Sequence, residues 1–343
     1  MNPKEIAAED LAGPEQFLRE VVEPCRPVVV RGLVHAWPVV LAAGRSPMHF
    51  KEYVSQFDAG RLAEVFIGES HIAGKYYYND DLTGFNFERR RMNFVDALSS
   101  IVSTSKQTGH RSMYLGSVPT DDYLPGFSAR NTLPVLDGGI AARIWIGHES
   151  NVSAHYDTLD NVACVIAGLR RFTLFSPETI EQLYVGPIDH TMAGQPVSLA
   201  ASAPVDDERY PRFREIRDQA LVVELQAGDA LYIPKLWWHQ VLATSPFNAL
   251  VNYWWDAFSA GPDAPSTALL LSMITIAERP PAERKAWRAF FDHYVFRSNG
   301  HPLKHLPASQ HGVLGPLQPH NYDRIRARIM YLLRGGAAPN ERS

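Results

Sequence analysis

The sequence has little cysteine and no excess of positive charge. Cys25 and Cys164 are its only cysteines, too few for a disulfide scaffold or a cysteine-rich zinc site. Lys and Arg number 33 against 37 Asp and Glu, a net charge of −4, so no broad attraction to phosphate backbones or anionic lipids is expected. The composition therefore argues against nucleic acid or a membrane surface as a partner.

Long hydrophobic runs are also missing. The N-terminus, MNPKEIAAEDLAGPEQF, has acidic residues where a secretion signal needs a basic start and an apolar run, and no later segment reaches membrane-spanning length. The 343 residues are nonetheless 45% hydrophobic, enough to bury one large core or two modest ones. We expect a globular protein of the cytoplasm.

The pattern of apolar residues changes twice, which divides the sequence into three predicted parts. Residues 1–135 mix short β segments, such as PVVVRGL at 27–33, with a helix predicted over 93–103, and form an α+β part that packs on the next. Residues 136–260 contain short β segments separated by turns, typical of a barrel or sandwich. Residues 261–343 carry three amphipathic helical segments, which either pad the barrel or form a homodimer interface.

Candidate metal ligands lie in two segments of the second part. In AHYD (154–157), His155 and Asp157 stand two apart on a predicted strand or at its end, so both side chains point to one face. A His-x-Asp triplet alone is weak support, because a chain of this composition contains such triplets by chance. The segment GDALYIPKLWWHQV (228–241) adds a turn, a strand, a proline bend and then His239, an order that brings a distant histidine back across a barrel. Two imidazoles and one carboxylate with open positions are the facial triad of mononuclear non-haem iron(II).

These segments resemble the cupin-like JmjC family of 2-oxoglutarate-dependent oxygenases, and within it the asparaginyl hydroxylases. The resemblance is carried by GHESNVSAHYD, DNVACVIAGLRRFTLFSP, GDALYIPKLWWHQV, NALVNYWW and the earlier PVVVRGLVHAWP, and spans about residues 15–260. It implies a mainly β protein with flanking helices, built on a double-stranded β-helix of the cupin or jelly-roll type. It also implies that His155, Asp157 and His239 bind Fe(II), and that 2-oxoglutarate chelates this metal and is decarboxylated to succinate as a substrate C–H bond is hydroxylated.

The resemblance further indicates a pocket for 2-oxoglutarate. The lysine with which the family binds the far carboxylate of this cosubstrate is replaced here by Arg170, whose planar fork can grip a carboxylate through two bonds. Arg171 is the alternative, but alternation along RRFTLF puts Arg170 on the face of Phe172 and Leu174. If those two apolar side chains point inward, Arg170 does too.

Other polar residues near the predicted site correspond less closely to the residues that the family has there. Three fall at positions that line its cosubstrate pocket, where a ligand carboxylate can satisfy a buried phenol or amide: Tyr114, Asn161 and Asn252. Ordinary hydrogen bonding within the core is the alternative for all three. Ser153 stands two residues before His155, whereas the family has a hydroxyl residue three before, so its role is open. His148 and His190 are expected in exposed loops.

The sequence thus predicts an Fe(II)- and 2-oxoglutarate-dependent oxygenase that hydroxylates a C–H bond of a protein, peptide or small molecule. One alternative is a catalytically silent cupin that binds a metal or ligand, for which Arg170 is the best argument. Another is a cupin enzyme that uses its metal without 2-oxoglutarate. Histone demethylases of the wider family usually carry zinc modules, for which this chain has too few cysteines.

Overall fold

The structure is a computed structural model that describes residues 3–79, 81–188, 191, 194–204, 207–259, 261 and 263–335. The chain divides into two compact units, Met1–Ala257 and Phe258–Ser343. Among the described residues, no helix combines the length and apolar character needed to cross a bilayer.

The described part of the first unit contains fourteen strands: β1 (Lys4–Ala7), β2 (Val28–Arg31), β3 (Leu62–Gly68), β4 (Lys75–Tyr76), β5 (Phe87–Asn93), β6 (Ser112–Pro119), β7 (Ala142–Gly147), β8 (Ser150–His155), β9 (Asp160–Ala167), β10 (Leu169–Phe175), β11 (Leu221–Gln226), β12 (Ala230–Ile233), β13 (Trp238–Ala243) and β14 (Asn248–Trp255). Its helices are α1 (Pro14–Phe17), α2 (Pro38–Arg45), α3 (Pro47–Ser55), α4 (Phe94–Thr104), α5 (Thr120–Tyr123), α6 (Phe127–Arg130) and α7 (Phe213–Arg217). A π-helix covers Leu18–Val22, and short 3₁₀ helices cover Ala8–Asp10, Ser70–Ile72, Pro177–Leu183 and Ala200–Ser202.

The strands assemble into two sheets. The larger has nine strands in the order β1-β2-β12-β9-β14-β7-β6-β3-β5, and the smaller has five in the order β11-β10-β13-β8-β4. Neighbouring strands are antiparallel except for the pairs β1–β2 and β4–β8. The N-terminal strands β2 and β6 pair with β12 and β7 of the predicted barrel, so the N-terminal part extends the larger sheet of the barrel.

Both sheets contribute side chains to an inner hydrophobic core. Phe172 and Leu174 of β10 are buried in it together with Val165 of β9 and Leu250 of β14. Each such Phe, Leu or Val contributes roughly 1.5–3 kcal/mol relative to an exposed side chain. The other face of the larger sheet packs on the helices, with Ile144 of β7 at the centre of that outer core. Strand β9 is buried on both faces, which explains why NVACVIAG reads as a nearly continuous apolar run.

The mainly β, cupin-type architecture with flanking helices predicted from the sequence is confirmed. The helix predicted over 93–103 begins at Phe94, because the Asn93 side chain caps its first turn by accepting from the Val95 amide at 3.0 Å. The turn predicted between two later strands closes with a hydrogen bond from the Asp229 amide to the Gln226 carbonyl at 3.0 Å. Gly228 has φ +100° there, which explains glycine at that position.

The second unit is helical in its described part. It contains α8 (Pro265–Ile276), α9 (Pro281–Tyr294), α10 (Pro319–Leu333) and 3₁₀ turns at Ala308–Gln310 and Gly312–Leu314. Asp263, before α8, pairs with Arg326 of α10 at 2.9 Å. No residue of α8 or α9 is buried, and Ile274 and Phe290 are 82% and 58% exposed. These helices therefore present apolar side chains to solvent.

Candidate metal centre

His155, Asp157 and His239 converge at one point between the two sheets. The antiparallel pairing of β8 with β13 places His155 opposite His239, with ring centroids 4.3 Å apart. Asp157 follows the end of β8, and its Oδ2 lies 3.7 Å from His239 Nε2. One potential ligand atom from each of the three lies within 4.8 Å of the others. The two segments that the sequence indicates are thus brought together.

Backbone carbonyls fix both histidines in one tautomer. His155 Nδ1 lies 2.8 Å from the Ser153 carbonyl, and His239 Nδ1 lies 2.9 Å from the Trp237 carbonyl. Since a carbonyl oxygen only accepts, each Nδ1 carries the proton and each Nε2 keeps a lone pair. Such an outer hydrogen bond orients a metal-binding imidazole and raises its basicity.

Asp157 is held from two sides. Trp254 Nε1 on β14 donates to Asp157 Oδ2 at 3.1 Å, and the Leu236 amide donates to the Asp157 carbonyl at 2.8 Å. The side-chain bond occupies one lone pair of one carboxylate oxygen. Asp157 Oδ1 receives no hydrogen bond from the described residues, so it is available to bind a cation.

Burial keeps His239 neutral. The ring is 4% exposed, and loss of hydration, reinforced by the neighbouring His155, lowers the pKa of His239 to about 4. An imidazole binds a metal in its neutral form. The site therefore offers two neutral nitrogen donors and one carboxylate, the donor set of a facial triad.

Arg170 lies deeper in the barrel. It is 3% exposed and is paired in register with Leu225 of β11 and Ala243 of β13. Its Nε and Nη2 have no hydrogen-bond partner among the described residues, and the Tyr114 hydroxyl is near enough to interact with the guanidinium. Burial lowers the pKa of Arg170 and raises that of Tyr114. A buried cation with two unused donors matches the carboxylate of an anionic ligand.

The predicted amides form a connected pair near the triad. Asn252 Nδ2 donates to Asn161 Oδ1 at 3.1 Å, and Trp145 Nε1 donates to Asn252 Oδ1 at 2.7 Å. Asn161 and Asn252 are both buried. Protein groups thus satisfy part of the capacity of both amides, and the two remain available to line a pocket.

A bulge places Ser153 outside the regular register. His155 pairs with His239, but Val152 pairs with Val241, so Ser153 and Ala154 together oppose one residue of β13. Val152 therefore occupies the inward position three residues before His155. The Ser153 hydroxyl is buried without a hydrogen-bond partner among the described residues.

The expectation that His148 is exposed was wrong. Its side chain is 2% exposed; Nδ1 accepts from the Met113 amide at 3.0 Å, and Nε2 donates to the Ile101 carbonyl at 2.9 Å. It joins β6 and α4 to β7 as a structural residue. His190 lies outside the described residues.

Sequence reasoning assigned no role to two tryptophans that contact the site, Trp145 and Trp254. Alternation along NALVNYWW contains the missing signal. If Asn252 points inward, then Trp254, two residues later, does too. Trp145 packs edge-on against Trp254 with ring centroids 5.8 Å apart, so the two indoles form one wall of the site.

Comparison with known families decides the classification. A sequence profile described as a cupin-like domain matches residues 14–261, which include every strand of the two sheets except β1 and the whole site. The chain belongs to the cupin-like domain family. The predicted relationship to JmjC proteins is confirmed as well.

Several relatives of this cupin-like protein carry JmjC names. Jumonji C domain-containing protein 5 of Drosophila melanogaster is 23% identical over 262 residues, covering 74% of this chain and 60% of the fly protein. The tRNA wybutosine-synthesizing protein 5 of Mus musculus is 26% identical over 267 residues, covering 70% of this chain and 74% of the mouse protein. Lysine-specific demethylase JMJ31 of Arabidopsis thaliana is 34% identical over 109 residues, covering 32% of this chain and 19% of the plant protein. The names of the mouse and plant relatives thus describe different activities, and the name of the fly relative describes only its domain.

Proposed function

We propose that the protein is an Fe(II)- and 2-oxoglutarate-dependent oxygenase that hydroxylates a C–H bond of a protein, peptide or small molecule. The observation that carries the proposal is the triad itself, in which backbone carbonyls hold Nδ1 of both histidines and one potential ligand atom from each of the three residues lies within 4.8 Å of the others. His155, Asp157 and His239 would hold the iron. Iron held there would activate O2, so that one oxygen atom enters the substrate C–H bond and the other enters 2-oxoglutarate, which is decarboxylated to succinate and CO2.

The chain positions the cosubstrate through buried polar groups. Arg170 would bind the far carboxylate of 2-oxoglutarate with the two N–H groups that lack partners, and Tyr114 would donate its hydroxyl beside it. Asn161 and Asn252, joined by their hydrogen bond, would line the same pocket. The Arg170 guanidinium has already lost its hydration in the folded protein. The 2-oxoglutarate carboxylate supplies a countercharge, and its binding therefore offsets this desolvation penalty.

The apolar inner core around these groups excludes water. Phe172 and Leu174 follow Arg170 on the same face of β10, and both are at most 2% exposed. Charge interactions are stronger in such a low-dielectric setting than in water. The protein thus binds, orients and shields the reactants.

Two alternative functions would also use the triad but differ from the proposal in other respects. A silent cupin would bind metal without turnover, and a 2-oxoglutarate-independent enzyme would leave Arg170 with another role. The inward register of Arg170 beside Tyr114 favours cosubstrate binding over both, since a buried cation with unused donors calls for an anion.

Release of succinate tests the proposal. The iron-loaded protein is given 2-oxoglutarate and oxygen, and succinate is quantified with the wild type and with Asp157→Ala. Succinate from the wild type alone supports the proposal. A folded wild-type protein that holds iron, binds no 2-oxoglutarate and makes no succinate contradicts it.

The second unit supports a further part of the proposal, a homodimer formed through the C-terminal helices. Ile274 of α8 and Phe290 of α9 are 82% and 58% exposed, and monomeric proteins rarely expose apolar side chains in such numbers. A second copy of the chain offers the same surface, which suits a self-complementary twofold interface.

A further inference from the structure

A cation on the inner face of the barrel takes no part in the metal or cosubstrate site proposed above. Arg143 of β7 is the register partner of Asn252 of β14, and residues directly opposite in an antiparallel pair point to the same face. Asn252 points into the barrel, where it donates to Asn161. Arg143 is therefore directed to the interior face, and it is half-buried.

A bulge in the neighbouring strand holds Arg143 in place. Gly116 and Ser117 of β6 together oppose Trp145, since the pairing shifts between Leu115 and Val118. Ser117 adopts φ +54°, a left-handed conformation that residues with a side chain rarely adopt. Bulges and strained residues concentrate next to functional sites, where they aim side chains.

The bulge grips one edge of the guanidinium and leaves the other free. Arg143 Nε donates to Ser117 Oγ at 2.5 Å, and Nη2 donates to the Ser117 carbonyl at 2.7 Å. Nη1 has no hydrogen-bond partner among the described residues. The edge formed by Nη1 and the second Nη2 proton can therefore donate hydrogen bonds to a planar or tetrahedral anion.

The Arg143 guanidinium lies near the metal centre. The Arg143 guanidinium carbon is 5.8 Å from the centroid of the Trp254 ring, and Trp254 Nε1 donates to Asp157 at 3.1 Å. Only one side chain separates Arg143 from a proposed metal ligand.

Arg143 also lacks a countercharge. In the described part of the chain, no carboxylate lies within ion-pair distance of Arg143. Asp122 acts on Arg143 only from a longer distance, and its carboxylate lies 3.8 Å from Arg61 instead. By contrast, Lys235 near the same end of β14 pairs with Asp160 and Asp256. A half-buried arginine without a carboxylate partner binds an added anion more tightly than a paired one.

We propose that Arg143 binds a carboxylate or phosphate group of the substrate beside the metal and so selects anionic substrates. This inference rests on the proposed function, because it places the substrate against that same centre. The alternative is that Arg143 only stabilises the β6 bulge.

The test uses paramagnetic relaxation in the full-length protein. Mn(II) replaces iron, 2-oxoglutarate is present at saturation, and the relaxation of methyl protons is measured for three probes: propionate, methyl phosphate and uncharged propionamide. Relaxation enhancement requires that a probe binds near the metal, so surface cations contribute little. Variants Arg143→Gln and Arg91→Gln are compared, the second removing an exposed arginine of β5.

We expect relaxation enhancement for at least one of the two anions and none for propionamide. Arg143→Gln should reduce this enhancement about tenfold or more, and Arg91→Gln should leave it unchanged. The anion that responds distinguishes a carboxylate from a phosphate substrate. Equal enhancement by propionamide, no enhancement by either anion, or an undiminished signal in a folded Arg143→Gln overturns the inference. If the glutamine variant does not fold, Arg143→Met, which keeps the apolar stem over Trp254, replaces it with the same criteria.

Mn(II) affinity, measured separately by electron paramagnetic resonance, reports on the metal site itself. If Asp157→Ala leaves that affinity unchanged, the proposed function fails. If Asp157→Ala abolishes Mn(II) binding but Arg143→Gln leaves anion relaxation intact, only the inference about Arg143 fails.

Discussion

The indole of Trp254 donates its Nε1 proton to Asp157 Oδ2 at 3.1 Å. This bond joins the end of β14 to the carboxylate that follows β8. It leaves Oδ1 and one lone pair of Oδ2 available to a metal and restrains the orientation of the carboxylate. Outer hydrogen bonds of this kind commonly change metal affinity by about 10–100-fold.

Trp254→Phe should weaken metal binding by about tenfold or more, because phenylalanine keeps the apolar wall but removes the donor. Titration with Mn(II) or Co(II) measures the affinity. Trp255→Phe is the matched control: the Trp255 ring packs near Tyr232 at 6.2 Å in the outer core, on the face of β14 opposite to Trp254. Equal affinity in Trp254→Phe and the wild type would show that the bond does not orient the ligand.

Arg170→Ala should lower the affinity for 2-oxoglutarate by about tenfold to a hundredfold, since it removes a charge-assisted bond to a buried carboxylate. Anaerobic titration of the metal-loaded protein measures this affinity. Arg171→Ala should have no effect, because Arg171 is exposed on the opposite face of β10. The reverse result would mean that β10 is shifted by one residue, since such a shift exchanges the two faces.

His148 should make the fold sensitive to acid. Burial, with a smaller effect from His110, lowers the pKa of His148 to about 4 from 6.5, so the unfolded chain binds more protons between these values and stability rises with pH. The stabilisation is complete above about pH 6.5 and is lost as the pH falls toward 4; at pH 5 the loss is about 2 kcal/mol relative to pH 8.

Denaturant unfolding at pH 8 and pH 5 measures this loss. In His148→Gln the difference in unfolding free energy between the two pH values should shrink by about that 2 kcal/mol. His71→Gln, which alters an exposed histidine, should keep the wild-type difference. An unchanged pH dependence in His148→Gln would assign the acid sensitivity to other groups.

The proposed dimer should dissociate when charge is placed on the C-terminal helices. The double variant Ile274→Glu/Phe290→Glu is expected to sediment as a monomer at concentrations where the wild type is a dimer, because burying unpaired carboxylates is unfavourable. Leu41→Glu changes a side chain of the first unit that is 60% exposed, and it should leave the dimer intact. A monomeric wild type would refute the interface.

The site residues could be predicted because their motifs resemble those of the JmjC family, and strand periodicity chose between Arg170 and Arg171. His155 and Asp157 stand two apart, and alternation along RRFTLF correctly placed Arg170 with Phe172 and Leu174 on the inner face. Local sequence carries this information, since a strand's side chains alternate between faces regardless of its partners.

Features that depend on distant pairing could not be predicted. The bulge that moves Ser153 out of register exists only in the pairing of β8 with β13. His148 can be buried because Met113, Ile101 and Thr104, far away in the sequence, supply hydrogen-bond partners for its ring. The grip of Ser117 on Arg143 likewise depends on how β6 pairs with β7.

The most direct test of the proposed oxygenase is optical. The protein is reconstituted anaerobically with Fe(II), 2-oxoglutarate is added, and the weak visible metal-to-ligand charge-transfer band is recorded for the wild type, Asp157→Ala and Arg170→Ala. The account predicts a band in the wild type, none in Asp157→Ala, and a band in Arg170→Ala only at higher 2-oxoglutarate concentration. A folded, iron-loaded wild type without the band, or a band of equal strength in Asp157→Ala, would contradict it.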